Sequence, residues 1–501
     1  MSLKQKLLFT ISSIAIAATV VAIVVVSYLS LTQMKKDALT KAEADLTSKR
    51  VLITTELNSY IDNIQKQAMV MANDVSIKEA VTTFSNAFAK YDTSKSDKNS
   101  LIAYYRTEFK PTYDGQNIKP ISVERLYNSL PPVTEAFQSQ FISLNPKPLG
   151  QKDELDSIGD GSDYDKAHQR YHSTIRKFLK EFGYYDVFLV EPDDGYIVYS
   201  VFKELDYATS LKNGPYRQSG IADAFNKALS LNPGETYLTD FSSYLPSYDN
   251  AASFISSPIY DSGRLIGVLI FQMPIDKINS LMTQKGNWGD SGFGTSGEIY
   301  LVGQDKTLRN ESRFFVEDQQ GYLELLREVG IEQASLIESK GTTISIQPVN
   351  SRGVQKALNG EVGFDIFDDY RNVSVLSSYG PVDIGGQRWA IMSEIDEEEA
   401  FYALSSLTEF IWGTALVIVI ITVLLTLLVA IQLSNSLTKP LNSLAVRFSE
   451  LSAGEADLTV RLNPSSTPEI NRIVTGFNDF ISQINSIFAS VKDSVARIAA
   501  S

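Results

Sequence analysis

Cysteine is missing from all 501 residues. Its absence excludes a disulfide framework, a cysteine-ligated zinc site and a thiol nucleophile. Histidine is nearly missing too: His168 and His172 are the only two, so a serine–histidine–acid triad must draw on that pair. Cations are outnumbered, 45 Lys and Arg against 59 Asp and Glu, for a formal charge of −14. Nucleic-acid binding needs clustered Lys and Arg, so no such partner is expected. The acidity is spread along the chain, as on a solvated surface. The length exceeds what one core supports, and several domains are expected.

Charge vanishes altogether from two apolar runs, Leu7 to Leu31 and Phe410 to Leu433. Each is long enough to cross roughly 30 Å of hydrocarbon, so residues 7–31 and 410–433 are expected to be transmembrane helices. The first is too long for the roughly 7 to 15 apolar residues of a secretory signal, and no Ala-x-Ala site clearly follows it. Lys4 and Lys6 before the first run are offset by Lys35 and Lys36 after it, whereas Lys439 and Arg447 follow the second. The positive-inside rule then places both termini, beginning with residues 1–6, in the cytoplasm and residues 32 to about 409 outside.

The outer part opens with apolar residues at Leu57, Ile61, Ile64, Ala68, Met71 and Val75, the alternating steps of a packed helix. Further helices are expected near 98–110, 132–143 and 163–182. Residues 32–183 read as a helical stalk or bundle without obvious chemistry.

At residue 184 the period becomes strand-like. YYDVFLV, the turn EPDDG and YIVYSVF form one hairpin, and SFISSPIYDSG with RLIGVLIFQMPI forms a second. SGIADAFNKAL between them has helical spacing. A similar order returns in GEIYLVGQDKTLRNES, SRGVQKALNG, VSVLSSYGPV and QRWAIMSEID. The expected fold is α+β, with two antiparallel-sheet domains in series at 184–290 and 291–405.

Beyond the second run, Leu437, Leu441, Leu444, Phe448 and Leu451 mark a helix seam. SAGEADLTVRLNPSSTP interrupts it, and a second seam runs through Ile470, Ile473, Phe477, Phe480, Ile484, Ile487 and Val491. Pro440 sits where a helix can start without loss, since a first-turn N–H is unpaired anyway. It is expected to act as a hinge between membrane helix and cytoplasmic helix, or else only to set the start of that helix.

The strands SPIYDSGRLIGVLIFQMPI, GTSGEIYLVGQD and QRWAIMSEIDEEEAF resemble the double Cache sensor, a PAS-like extracellular module of bacterial receptors, over roughly residues 184–400. LTKPLNSL, AGEADLTVRL and TPEINRIVTGFNDFI resemble the HAMP module, here 434–488, with Asn471 where glycine is often found. FNDFISQINSIFASVKDSVARIAAS resembles the lead into the signalling hairpin of a methyl-accepting chemotaxis protein, with residues 489–501 starting that coiled coil. The resemblance implies a homodimeric receptor of the bacterial inner membrane lacking the hairpin itself, so that a chemotaxis kinase and adaptor would be reached only through that absent part. A histidine kinase, adenylate cyclase or diguanylate cyclase could carry the same sensor and HAMP.

Carried onto this chain, the resemblance implies a small-molecule pocket in the membrane-distal sheet domain, with Tyr199, Tyr216, Arg217, Asp240, Tyr244, Ser257 and Gln272 as ligand-binding residues. Amino-acid-binding members have an Arg-x-Trp-Tyr run and an Asp on the last strand; this chain lacks the run and has Gln272 near that Asp position. Pro440, Leu441, Leu444, Phe448, Glu469, Ile473 and Phe477 are the implied relay residues.

No cofactor, metal site or catalytic centre is expected. His168 and His172 stand four apart near Asp165, a spacing compatible with one metal, but without an HExxH pattern they read as a solvated helix surface. GFGTSG supplies Gly292, Gly294 and Gly297 in G-x-G-x-x-G order, yet a strand follows where a dinucleotide site needs a helix. The alternative to a sensor is a membrane-anchored scaffold that binds a partner protein. The paired seams disfavour it, because a simple anchor needs no two-helix relay.

Overall fold

A computed structural model describes residues 3–453 and 457–499. Met1 and Ser2 of the expected N-terminal stretch, Gly454, Glu455 and Ala456 of the expected connector, and Ala500 and Ser501 lie outside the described residues. The chain forms two compact units, residues 39–400 and residues 1–38 with 401–501.

Helix α1 (Leu3–Asn73) belongs to the larger unit from residue 39 onward, where it buries Ile53, Leu57, Ile61, Ile64, Ala68 and Met71 along one face. The seam stops short of Val75, which is exposed. Asp74 is the cause: its carboxylate accepts the Ser76 and Ile77 amides and starts α2 (Val75–Ala89). Short helices follow, α3 (Lys98–Tyr104), α4 (Lys110–Gln116), α5 (Val123–Tyr127) and α6 (Pro132–Gln138), with π turns at Tyr105–Phe109 and Ser139–Ser143. α7 (Asp163–Phe182) starts on the Ser162 hydroxyl and ends at Gly183, whose φ of 75° is the left-handed stop that glycine adopts readily.

The first sheet contains β1 (Asp186–Val190), β2 (Ile197–Ser200), β3 (Tyr237–Leu238), β6 (Phe254–Asp261) and β7 (Arg264–Gln272), in antiparallel order β2-β1-β7-β6-β3. Helix α8 (Gly220–Ala228) precedes β3, and a small ribbon, β4 (Ser242–Tyr244) with β5 (Asn250–Ala252), follows it. Both faces are buried, which is why β1 is apolar throughout after Asp186. Phe188 and Val190 face α8. Val187 and Leu189 face the other way, into a core shared with α1, α2, α6 and α7.

Residues 75–182 therefore differ from the expected separate stalk. Phe84 of α2 stacks on Tyr199 of β2 at 4.8 Å, and Phe137 of α6 meets Tyr164 of α7 edge-on at 4.6 Å. Alternating steps identify a helix with a buried face, but they do not say whether a helix or a sheet covers it. The histidine expectation is corrected for the same reason. His168 and His172 face the sheet, 1% and 0% exposed, with rings stacked at 4.2 Å. His172 Nδ1 lies 2.8 Å from the Tyr199 hydroxyl. Desolvation, then the nearby Lys203 charge, pushes His172 down to about 2.

The second sheet follows α9 (Ile275–Met282) and contains β8 (Glu298–Val302), β9 (Gly363–Asp368), β10 (Ser374–Ile384) and β11 (Gln387–Asp396), in antiparallel order β8-β11-β10-β9. Between β8 and β9 lie α10 (Arg313–Glu317), α11 (Gln319–Glu328), α12 (Ala334–Lys340) and α13 (Arg352–Leu358), and α14 (Glu397–Ala400) ends the unit. The expected hairpin after residue 298 is reduced to one bridge, Val302 to Leu308.

Arg309 ties the two sheets together. Its guanidinium, 1% exposed, donates from Nε and Nη2 to the two Asp240 oxygens at 2.8 Å each, and Trp389 Nε1 donates to Asp240 Oδ1 at 3.0 Å. Gly303 makes the room, since a Cβ there would overlap the guanidinium.

In the smaller unit, α15 (Tyr402–Leu433), the π turn Ser434–Thr438 and α16 (Lys439–Ser452) follow one another, and α17 (Pro468–Ala499) comes after the connector. Helical residues Phe9–Asn73 and Leu404–Ser452 contain windows long and apolar enough to cross a membrane. Pro440 falls in the first turn of α16, directly after the π turn. Within the chain, α16 and α17 bury Leu444, Ile470, Val474, Phe477 and Ile481. Ile473, Phe480, Ile487 and Val491 stay exposed. The expected α17 seam thus merged two apolar stripes, of which one meets α16.

Replacing Arg309 with alanine is expected to strand Asp240 beside Trp389 and lower stability by about 3 kcal/mol, as when one partner of a buried pair is lost. Urea denaturation of the full chain in detergent should show most of that loss recovered in an Arg309→Met, Asp240→Asn double variant.

Candidate functional site

A loop leaving β2, Val201 to Tyr207, carries Lys203, Glu204 and Asp206 into the space between the first sheet and its helical cover. Charged residues do not settle there unaided, so the backbone is pinned. Gln138 of α6 donates to the carbonyls of Leu205 and Tyr207 at 2.7 and 2.9 Å and accepts the Tyr105 hydroxyl at 2.8 Å. Thr134 donates to the Ala208 carbonyl. Lys203 and Ala208 have φ of 59° and 61°. Neither is glycine, and such left-handed backbone persists only where surrounding contacts over-determine it.

Around this loop the charges are desolvated. Asp186, fully buried at the start of β1, accepts the Val201 amide at 2.9 Å, and burial followed by the Asp206 charge pushes it up to about 8. Burial also pushes Asp206 up to about 6, held back by the Tyr244 hydroxyl that donates to Oδ2. Glu204 rises well above the usual carboxylate range, through burial and then its Asp206 and Asp186 neighbours. Lys203 donates to the Ser200 carbonyl and lies 4.5 and 5.1 Å from the Tyr199 and Tyr207 ring centres. Desolvation lowers it to about 7, against the pull of Asp186.

A cavity of about 200 Å³ opens beside the loop, lined by Tyr104, Phe109, Lys152, Tyr185, Lys203, Glu204, Pro246 and Tyr248 among others. Aromatic walls with a few polar groups are the usual makeup of a small-molecule site. Larger surface grooves exist, among them about 680 Å³ near Phe88 and Arg264, about 740 Å³ along α1, α2 and α7, about 400 Å³ between α2 and α7 and about 530 Å³ beside Pro440, but none of these is lined by the buried charges.

The sequence-derived ligand residues separate in space and in engagement. Tyr244 joins the cluster through Asp206, and Tyr216 lies 6.3 Å from it, ring to ring. Gln272 ends β7 directly opposite Asp186 and donates to Ser247 Oγ at 3.2 Å. Tyr199 borders Lys203 from the histidine side. Asp240 has both oxygens engaged by Arg309, Ser257 donates to the Glu235 carbonyl at 3.1 Å, and Arg217 donates to the Gly214 carbonyl at 3.2 Å. The resemblance implied the stretch YSVFKELDY as part of the pocket, but Lys203, Glu204 and Asp206 within it, and Asp186, were not named as ligand residues. Their signal was KELD, a charged run set between strand-like YIVYSVF and aromatic Tyr207. Of the relay residues, Leu441 packs against the Leu444 and Phe477 core, Phe448 meets the Phe477 ring edge-on at 5.0 Å, and Ile473 and Glu469 are exposed.

Two domain families match the chain: the Cache domain over residues 30–404 and the HAMP domain over residues 433–486. The first match begins inside α1 and takes in the region expected as a stalk. The methyl-accepting chemotaxis protein PctB of Pseudomonas aeruginosa is 30% identical over 125 residues, 25% of this chain and 19% of that protein. McpA of Pseudomonas putida, also a methyl-accepting chemotaxis protein, is 30% identical over 118 residues, 23% and 18% of the two. The chain thus spans about a fifth of the length of these curated relatives. Among solved structures, the PctB ligand-binding domain in complex with L-Arg aligns at 16% identity and TM-score 0.29, covering 47% of this chain and 84% of that one. The periplasmic sensory domain of the Campylobacter jejuni chemoreceptor Tlp1 aligns at 14% and 0.32, covering 53% and 92%.

Because burial raises Asp206, the fold holds its proton where the unfolded chain releases it. The resulting penalty is absent below the ordinary carboxylate range, grows as pH rises from about 4 to about 6, and persists above. Asp206→Asn is therefore expected to stabilise the full chain by roughly 2 kcal/mol at pH 7.5 and by almost nothing at pH 4, read from urea midpoints at the two pH values.

Proposed function

The chain belongs to the Cache domain family, and from that membership we propose that it is a transmembrane chemoreceptor. In this reading it binds a small solute outside the cell, in the cavity beside the Lys203–Asp206 loop, and passes the event through its HAMP domain to a cytoplasmic signalling module. The membrane is the bacterial inner membrane, and the working form is a homodimer. The observation that carries the reading is the cluster of desolvated charges pinned under a helical cover, in a chain that also carries a HAMP match. A scaffold has no use for such a cluster, because desolvated charge costs stability and offers nothing to a protein partner at the surface.

A route out of the sensor has its first parts in the second sheet. The loop Gly292–Ser296 is held from two sides. Lys49 of α1 lies 4.8 Å from the Phe293 ring centre and donates to the Gly292 carbonyl. Glu399 of α14 accepts the Thr295 and Ser296 amides at 2.8 and 2.7 Å. Both helices lead toward the apolar runs, so a shift of this loop acts on each. Coupling requires only that the solute prefer one of two arrangements. The exposed Ile473, Phe480, Ile487 and Val491 supply an apolar stripe for a second copy of α17.

Two measurements test the proposal. A solute screen by thermal shift on the full chain in detergent should find one metabolite class that raises the midpoint. Ile473→Cys, placed in a chain with no other cysteine, should crosslink between copies in native membranes, at a rate that changes with that solute. Absence of crosslinking, together with a blank screen, would sink the receptor reading.

A further inference from the structure

We infer that the second sheet makes the proton a second stimulus, bound by the facing carboxyl groups of Glu298 and Glu394. The binding stands on this sheet alone, and its effect on signalling rests on the receptor reading. Glu298 on β8 and Glu394 on β11 are directly opposite one another in the antiparallel register, which puts both side chains on one face with Cβ atoms roughly 4.5–5.5 Å apart. Each residue is 3% exposed. Two carboxylates so close and so dry resist ionising together. Their hydrogen bonds are unequal. Glu298 accepts the Arg313 amide at 2.6 Å and the Tyr370 hydroxyl at 2.5 Å, so both of its oxygens are used. Glu394 Oε2 accepts the Tyr300 hydroxyl at 2.9 Å, while among the described residues no donor reaches Oε1 with good geometry, although it is sealed from water. A proton on Oε1 turns that lone acceptor into a donor. Ser377, opposite Glu394 on β10, has an open hydroxyl on the same face to take it.

The cations around the pair are engaged elsewhere. Arg371 donates from Nε to Asp369 and from Nη2 to Asp396, at 2.6 Å each, and lies over the Phe314 ring. Arg313 of α10 gives its side chain to Glu317 and to the Gly294 and Gly297 carbonyls. Lys356 of α13 is held by Asp365 and Tyr379. The Tyr322 hydroxyl of α11 is pushed up by burial and then by the Glu298 charge, so it stays neutral. Burial, then the charges of Asp369 and Glu298, push Glu394 up to about 8. Burial pushes Glu298 up to about 7, against the pull of the Tyr370 hydroxyl. Both therefore keep a proton where an unfolded chain releases it, and both give it up as pH rises past neutrality.

The pair sits where the strands hold the exit from the larger unit. Ser296, shortly before Glu298, donates its amide and hydroxyl to Glu399 of α14. Asp396, shortly after Glu394, donates its amide to Ser296 Oγ at 3.0 Å and accepts Arg371. When both carboxyls are charged, their repulsion falls on the two strand ends that carry these contacts.

Infrared difference spectra of the full chain in detergent, with 13C-labelled glutamate, follow the carbonyl stretch of protonated carboxyl groups between pH 5 and pH 10. One band is expected to fade with a midpoint at about 8 and to be missing from Glu394→Gln. In Glu298→Gln it should fade at a pH lower by roughly one unit, because the facing charge is gone. Glu204→Gln, changed in the first sheet, should leave it in place. A spectrum without a band that fades in this range, or a band that persists in Glu394→Gln, overturns the site. An unmoved midpoint in Glu298→Gln overturns the sharing of the proton. Glutamine keeps the carboxyl's shape without its charge, and thermal midpoints at pH 9 at or above the parent's show that the variants are folded. If one does not fold, the parent's own titration decides. The signalling arm adds Glu394→Gln to Ile473→Cys in broken native membranes, where both faces meet one buffer. The crosslinking rate with the glutamine, divided by the rate without it, cancels the pH dependence of the thiol. That ratio should be close to one at pH 6 and depart from one by roughly twofold or more at pH 9. A ratio of one at both, with the band fading as expected, overturns the proton as a stimulus. Absence of any crosslink overturns the receptor reading and the signalling role with it, while the infrared band still decides the binding.

Discussion

The carboxamide of Gln138 is the constraint on which the candidate site depends. Both of its N–H groups are used on the Leu205 and Tyr207 carbonyls, and its oxygen takes the Tyr105 hydroxyl. One side chain thus sets the distance between the helical cover and the loop that carries Glu204 and Asp206. Without it the left-handed turns at Lys203 and Ala208 would have little reason to persist, and the carboxylates would have a short path to water. The cover is therefore part of the site. Its helices are short and broken by π turns, as expected of elements shaped by what they enclose.

A second constraint joins that site to the rest of the larger unit. Asp240 lies two residues past β3 and is gripped by Arg309 and Trp389 from the second sheet. Gln387, which opens β11, adds a bond to the Leu238 carbonyl at 3.1 Å. Because the pair is bidentate and buried on the arginine side, it fixes orientation as well as distance.

Much of this organisation was legible in the residues. The apolar runs, most strands of the two sheets, the 220–228 helix and the repeat of the sheet pattern follow from period and turn chemistry, whereas the edge strand β9 was not read from the sequence. Partnership was not. The face Ile53 to Met71 is visible as a face, but nothing in its spacing says that it shares a core with strands more than a hundred residues away. His168 and His172 looked solvated because a polar helix sequence, DYDKAHQRYH, hides a buried side whose members are Tyr164, Ala167, His168, Tyr171 and His172. The candidate site split along the same line. Tyr199, Tyr216 and Tyr244, named through the resemblance, are buried, but the tyrosines that line the cavity are Tyr104, Tyr185 and Tyr248. The acids that define its charge could not be named, because burial of Glu204 and Asp206 depends on a cover contributed by α3 and α6. Asp240 illustrates the converse: the resemblance implied a ligand residue there, and its partner Arg309 lies beside the second sheet.

Gly303 and Arg309 leave a mark on how this chain can change over time. The guanidinium occupies the volume that any side chain at 303 would need, so the two positions cannot vary independently. A lineage that gave up the arginine first could later fill position 303 freely. One that altered the glycine first would evict the guanidinium and leave Asp240 without its partner. The order of substitutions is thereby constrained by packing alone, and history at one residue decides which neighbours remain open to drift.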